Sequence, residues 1–184
     1  MTQPKPRVAA DVRSVSVLGS TGSVGCNTLD LIARHPEKFS VKALTANRNA
    51  ALLADQAKAV RAEIAVIADE TMLPELRERL KGTGIKTAAG RRALIEAAAR
   101  PSDWLMAAIV GSAGLEPTLE AVRRGAIVGL ANKECMVTAG EFFCREVASA
   151  GASLIPVDSE HSAIYQVFDF ERPDRVERII LTAS

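Results

Sequence analysis

Ser14 to Arg34 reads S-V-S-V-L-G-S-T-G-S-V-G-C-N-T-L-D-L-I-A-R, and this stretch decides the fold. The β-branched run Ser14 to Leu18 predicts a strand, and the apolar spacing from Ser23 to Arg34 predicts a helix. Between them Gly19, Gly22 and Gly25 are spaced G-x-x-G-x-x-G. Glycine in such a turn permits positive φ and lets a ligand approach the main chain closely. The helix that follows offers unpaired N–H groups and the positive end of its dipole, which suits a phosphate. Thr21 and Ser23 add hydroxyl donors. The spacing differs from the G-x-G-x-x-G dinucleotide fingerprint, yet the strand-to-helix setting is the one that fingerprint requires. A glycine-rich turn with no ligand is the other reading of the same residues.

Working outward, strands and helices keep alternating. Strands are predicted at Val41–Leu44, Ile64–Ile67, Ile85–Thr87, Met106–Val110 and Ile127–Leu130. Helices are predicted at Ala50–Arg61, Thr71–Leu80 and Arg91–Ala99. The nearly continuous apolar runs at Met106–Val110 and Ile127–Leu130 suit strands buried on both faces of a parallel sheet. The expected fold is α/β, a Rossmann-like, doubly wound, mostly parallel sheet. After Pro156 the texture changes to a polar cluster, a short helical stretch to Val167, a charged connection and a final strand at Arg178–Thr182. The expected divisions are a flexible extension over 1–13, a nucleotide-binding domain over 14–157, and the start of a second, α+β domain over 158–184. A chain stopping at Ser184, just after a strand, reads as a piece of a longer protein.

Composition narrows the partners. Of 184 residues 48% are hydrophobic and 24% charged, with a net charge of +1, which gives no basic footprint for nucleic acid or an anionic membrane surface. Aromatics make up only 4%, too few for base-stacking platforms. No run approaches the roughly 20 apolar residues of a membrane span, and the first residues lack the apolar core of a secretory signal. Cys26, Cys135 and Cys144 are odd in number and lack metal-ligand spacing, so a reduced, cytoplasmic setting is expected.

The end of the second strand selects the cofactor. NAD sites usually carry an acidic residue there to hold the ribose hydroxyls. Here the segment is Ala46-Asn47-Arg48-Asn49, with no carboxylate to repel a 2′-phosphate and an arginine able to pair with one. NADPH is therefore expected. A solvated arginine at a helix start is the plainer reading of Arg48.

Three more segments sharpen the picture: A-A-I-V-G-S-A-G-L over Ala107–Leu115, L-A-N-K-E over Leu130–Glu134, and P-V-D-S-E-H over Pro156–His161. With the glycine turn, in this order, they closely resemble the 1-deoxy-D-xylulose 5-phosphate reductoisomerase family from about Ser14 to Ser184. The resemblance implies rearrangement and NADPH-dependent reduction of a phosphosugar, in the non-mevalonate route to isoprenoid precursors. It implies a homodimer and a divalent metal (Mg, Mn or Co). It assigns Thr21, Gly22, Ser23 and Val24 to the cofactor phosphates, and Asn47, Arg48 and Asn49 to the adenosine ribose and its 2′-phosphate. It assigns Asn132 and Glu134 to further cofactor contacts. Lys133, Ser159, Glu160 and Ser184 match substrate contacts, Lys133 and Glu160 being the catalytic candidates, and Asp158 and Glu160 match two of three metal carboxylates. Family members often carry Gly-Lys-Asn where this chain has Asn47-Arg48-Asn49, and commonly Ser and Leu where it has Cys135 and Met136.

These residue types suit that chemistry. Hard divalent cations take carboxylate oxygens, and such an ion polarises a carbonyl. A lysine beside the substrate stabilises developing negative charge. The plainer readings are a helix cap for Asp158-Ser159-Glu160 and a solvated ion pair for Lys133-Glu134. Two other functions compete: a non-catalytic NADP-binding module, and an NADP-dependent dehydrogenase of the semialdehyde type, which needs a nucleophilic cysteine. With the third metal carboxylate expected beyond residue 184, the chain is expected to bind NADPH without catalysing the reaction.

Overall fold

The structure is a computed structural model that describes residues 12–181. Its strands are β1 (Arg13–Leu18), β2 (Phe39–Ala46), β3 (Ile64–Ile67), β4 (Lys86–Ala89), β5 (Trp104–Ala107), β6 (Ile127–Leu130) and β7 (Ser153–Pro156). The helices between and after them are α1 (Ser23–Arg34), α2 (Ala50–Val60), α3 (Leu73–Arg79), α4 (Gly90–Ala99), α5 (Leu115–Arg123), α6 (Glu134–Ala150) and α7 (Ser159–Val167).

All the strands pair in parallel in one sheet of order β4-β3-β2-β1-β5-β6-β7. The chain moves outward from β1 to β4, crosses back to pair β5 with β1, and then moves outward the other way. That reversal between β1 and β5 opens a crevice at their C-terminal ends, where such folds bind ligands.

Alternation along the strands explains the two helical layers. Val15, Val17, Leu44, Ile67 and Met106 join Leu29, Ile32, Leu53 and Leu76 of α1, α2 and α3 in one buried cluster. Leu18, Leu105 and Val128 turn to the other face, against Val122 of α5 and Phe143 of α6. Ala43 and Val66 do the same against Leu94 and Ala97 of α4. Strands buried on both faces need apolar side chains at both parities, as in the β6 run. The strand expected at Met106–Val110 instead spans Trp104–Ala107, and the run continues past it into a loop where Val110 is exposed.

The expected α/β doubly wound fold is present, with differences in detail: β4 is shifted to Lys86–Ala89, and the helices α5 and α6 were not among those expected. The helix expected at Thr71–Leu80 opens as a 3₁₀ turn at Glu70–Met72, because Asp69 caps it tightly through Thr71 and Pro74 then fixes the first turn of α3. The strand expected at Arg178–Thr182 is not formed over its described part, 178–181. Ile179, Ile180 and Leu181 are exposed there, and apolar β-formers without a neighbouring ladder have nothing to pair with. The short strand β7, which adds the seventh member of the sheet, has four residues and ends at Pro156. Ser184 lies outside the described residues.

Candidate functional site

Three strand ends build the crevice. From β1, Gly19 takes φ +79 and sits so close to the β5 end that a Cβ on it would lie 2.5 Å from the Ala108 carbonyl oxygen. Gly22 is extended (φ −78, ψ 171) at the start of α1 and has no side chain capping the helix. Helix N–H groups without a side-chain cap suit an anionic ligand. Gly25 lets α1 rest on the turn, since a Cβ would be within 2.6 Å of Ser20 main-chain atoms.

The turn is fastened from β2 and α2. The Gly19 N–H donates to Thr45 Oγ1 at 2.9 Å and the Ser20 N–H to the Thr45 carbonyl at 2.8 Å. The Ser20 hydroxyl donates to Gln56 Oε1 at 2.8 Å, and Gln56 Nε2 returns a bond to the Ser20 carbonyl at 2.9 Å. Ser20 and Thr45 are fully buried, so these bonds satisfy groups that water cannot reach.

Gly22, Ser23 and Val24 face Ala108, Ile109 and Val110 after β5, and Ala131, Asn132 and Glu134 after β6, across one cleft. Asn132 is 3% exposed. Its Nδ2 donates to the carbonyls of Ile109 at 2.6 Å and Gly111 at 2.8 Å, which fixes the loop after β5. Those two bonds set the amide orientation and leave Oδ1 buried without a partner. An unpartnered buried acceptor in the lining of a cleft fits a ligand that brings a donor.

Arg48 and its neighbours stand outside this cleft, at the end of β2. Asn49 caps α2 by accepting from the Leu52 N–H at 3.0 Å, and the Asn47 carbonyl accepts from the Asp69 N–H at 3.0 Å. Contrary to the sequence-based expectation, a carboxylate does lie here: Asp69 Oδ2 is 3.3 Å from Arg48 Nε. Parallel pairing of β2 with β3 places Ala46 opposite Ile67, so the segments after the two strands meet. The Thr71 hydroxyl and N–H, followed by Arg48, hold the Asp69 carboxyl below the usual range.

The third group lies past β6 and β7. Lys133 and Asp158 line a largely apolar cavity of about 390 Å³, with His161, Met136, Tyr165 and Phe170 among its walls. Asp158 caps α7: its Oδ1 accepts from the His161 N–H at 3.0 Å and lies 2.6 Å from His161 Nδ1. Burial raises the Asp158 carboxyl, but the His161 contacts and the Lys133 charge outweigh it and leave it below its ordinary value. Glu160 is lowered too, by its own N–H, the Ser159 hydroxyl and then Lys133. The helix-cap reading thus holds for Asp158, and Lys133 is electrostatically tied to both carboxylates. Glu160 and Ser159 sit in the first turn of α7, outside that cavity's walls.

Cys135, the thiol nearest to what the semialdehyde reading needs, is buried, and burial followed by Glu134 pushes it up to about 11. A thiol so seldom ionised is a poor nucleophile.

The model of the 1-deoxy-D-xylulose 5-phosphate reductoisomerase family matches residues 15–140, and the model of that enzyme's C-terminal domain matches residues 154–184. The chain belongs to the 1-deoxy-D-xylulose 5-phosphate reductoisomerase family. It is 62% identical over 173 residues to the reductoisomerase of Rhodospirillum centenum, across 94% of this chain and 43% of that protein. The Rhizobium rhizogenes enzyme is 59% identical, across 94% of this chain and 44% of its own length. The chain thus spans less than half the length of the curated relatives it matches. The solved reductoisomerase of Zymomonas mobilis in complex with NADPH superposes with a TM-score of 0.88 at 50% identity, covering 97% of this chain and 45% of that one. A reductoisomerase solved with NADPH, fosmidomycin and magnesium gives 0.81 at 34% identity, covering 89% of this chain and 40% of that one.

Sequence reasoning missed Thr45 and Gln56, which clamp the turn, and Asp69, which meets Arg48. It also left His161, which bridges to Asp158, without a role. The β2–β3 register was the one signal that could have paired Asp69 with Arg48.

Proposed function

We propose that this chain forms the NADPH-binding part of a 1-deoxy-D-xylulose 5-phosphate reductoisomerase, which converts that phosphosugar to 2-C-methyl-D-erythritol 4-phosphate in isoprenoid precursor synthesis. The observation that carries the reading is the convergence, at the β1–β5 reversal, of the uncapped glycine turn with Asn132 and Glu134 in one cleft.

In this reading Thr21, Gly22, Ser23 and Val24 bind the cofactor phosphates through hydroxyl and main-chain donors. Arg48 takes the 2′-phosphate, with Asn47 and Asn49 shaping the segment around it. Asn132 offers its unpartnered Oδ1 to a cofactor donor, and Glu134 flanks it. Lys133 places positive charge beside substrate oxygens, and Ser159, Glu160 and Ser184 make further substrate contacts.

Asp158 and Glu160 fit two carboxylates of a divalent metal site. Both His161 contacts use Asp158 Oδ1. Magnesium, manganese or cobalt there would supply Lewis acidity to substrate oxygens. Among the described residues no group of three or more His, Cys, Asp or Glu side chains is placed to hold a metal. The 184-residue chain, which spans less than half the length of its relatives, is proposed to bind NADPH without turnover, and the domain division over 14–157 and 158–184 and the homodimer are proposed for the longer protein.

Titration of NADPH into the purified chain, followed by nicotinamide fluorescence, tests the cofactor half, and a turnover assay with and without manganese tests the rest. Saturable binding with no turnover is expected. No binding would overturn the cofactor site, and metal-dependent turnover would overturn the inactive fragment.

A further inference from the structure

Arg48 and Asp69 form an ion pair whose two members are held very differently. Asp69 Oδ1 accepts from the Thr71 N–H at 3.0 Å and the Thr71 hydroxyl at 2.6 Å. Its own N–H is tied to the Asn47 carbonyl at 3.0 Å, and its side chain is 23% exposed. Arg48 is 70% exposed and meets Asp69 at 3.3 Å through Nε. The carboxylate is therefore a fixed charge and the guanidinium a movable one.

That asymmetry governs what the pair does to a cofactor. A 2′-phosphate arriving at the end of β2 draws Arg48 to itself, but Asp69 cannot withdraw. A phosphate monoester carries roughly −1.5 to −2 charge at neutral pH, so the stationary carboxylate opposes it. A 2′-hydroxyl meets a fixed acceptor instead, as the acidic residue of an NAD site would provide.

We propose that Asp69 is a specificity-determining residue at the adenosine end of the site: a fixed carboxylate that moderates the preference for the 2′-phosphate and gives a 2′-hydroxyl an acceptor. The inference rests on the assignment of Arg48 to the 2′-phosphate. Loss of the carboxylate removes repulsion from NADPH and an acceptor from NADH, and both effects raise the NADPH to NADH affinity ratio. Any orienting effect of Asp69 on Arg48 opposes them, but an arginine so exposed gains little order from one such pair.

The test is titration of NADPH and of NADH into the chain and into Asp69→Asn and Arg48→Ala, at low and moderate salt. Asparagine keeps the shape and can still accept from Thr71. Asp69→Asn is expected to tighten NADPH roughly three- to fivefold, the scale of one exposed charge pair, to weaken NADH, and to steepen the salt dependence of NADPH binding. Arg48→Ala is expected to bring NADPH affinity down toward that of NADH. An unchanged or lower ratio in Asp69→Asn, with Arg48→Ala still weakening NADPH, would overturn the role of Asp69 alone. NADPH binding indifferent to Arg48→Ala would overturn the arginine assignment and this inference with it.

Discussion

Around Gly19 the chain is fastened from a distance, whereas around Asp158 it is fastened to its neighbours in sequence. The glycine turn bonds to Thr45 and Gln56, 26 and 36 residues on, and packs against the β5 end. Past Val157, by contrast, Asp158 holds the His161 three residues on, and Asp169 the Arg172 three residues on. No residue of α7 is buried. The difference teaches that the glycine-turn end is set by the sheet itself. The acidic corner carries its own helix cap but little that fixes it from outside.

Four substitutions break or sharpen this contrast. Gly25→Ala should do most, because its Cβ would press on main-chain atoms of Gly19 and Ser20 that have no room to yield. A loss of about 3 kcal/mol in urea unfolding and of NADPH binding is expected. Asn132→Ala removes the donor to the part-buried carbonyls of Ile109 and Gly111. It should cost about 2 kcal/mol in the same unfolding and weaken cofactor binding. A wild-type midpoint for either variant would contradict the long-range fastening.

Asp158→Ala should act locally. Removing the α7 cap is expected to cost that helix about 1 kcal/mol, visible as faster amide exchange over Ser162–Val167, with the global melting temperature nearly unmoved. A large global shift would mean the corner is part of the cooperative core.

The smallest effect is a pH effect. Hydrogen bonding from Lys42, opposed by desolvation and then aided by Arg100, holds Glu63 below its ordinary 4.5. A carboxyl lowered in the fold contributes its stability above that ordinary value and loses it as pH falls through the lowered one. Glu63→Gln should therefore lose under about 1 kcal/mol at neutral pH, screened as an exposed pair is. It should also flatten the fall in melting temperature below about pH 4.5. An equally steep fall in the variant would remove Glu63 from the acid response.

Much of this was legible before any coordinates. The α1 bounds, β3 and β6 coincide with their sequence patterns, because each is short, strongly patterned and flanked by turn residues. The second half was harder to read. The helix α6 departs from helical angles at Ala139 (φ −143, ψ 27), just before Gly140, which interrupts its period. The helix α5 has Pro117 in its opening turn after the glycines Gly111 and Gly114, and loop signals masked it. The final apolar run had the composition of a strand but, among the described residues, no ladder to join. In the site, the glycine turn and Asn132 were readable from motifs. The meeting of Arg48 with Asp69 depends on register between strands, which no local pattern encodes.

The pairing of β1 with β5 also bears on when the site can first exist. Ser14 bonds to Asp103, 89 residues later, and Asn132 must then close over the loop after β5. Such long-range closure is slow relative to local structure. A nascent chain leaving the ribosome therefore displays its glycine turn early but completes the proposed cofactor cleft only after Glu134 has emerged. Until then NADPH has no native cleft to stabilise, so the cofactor should act on the finished sheet and leave the early steps of folding unassisted.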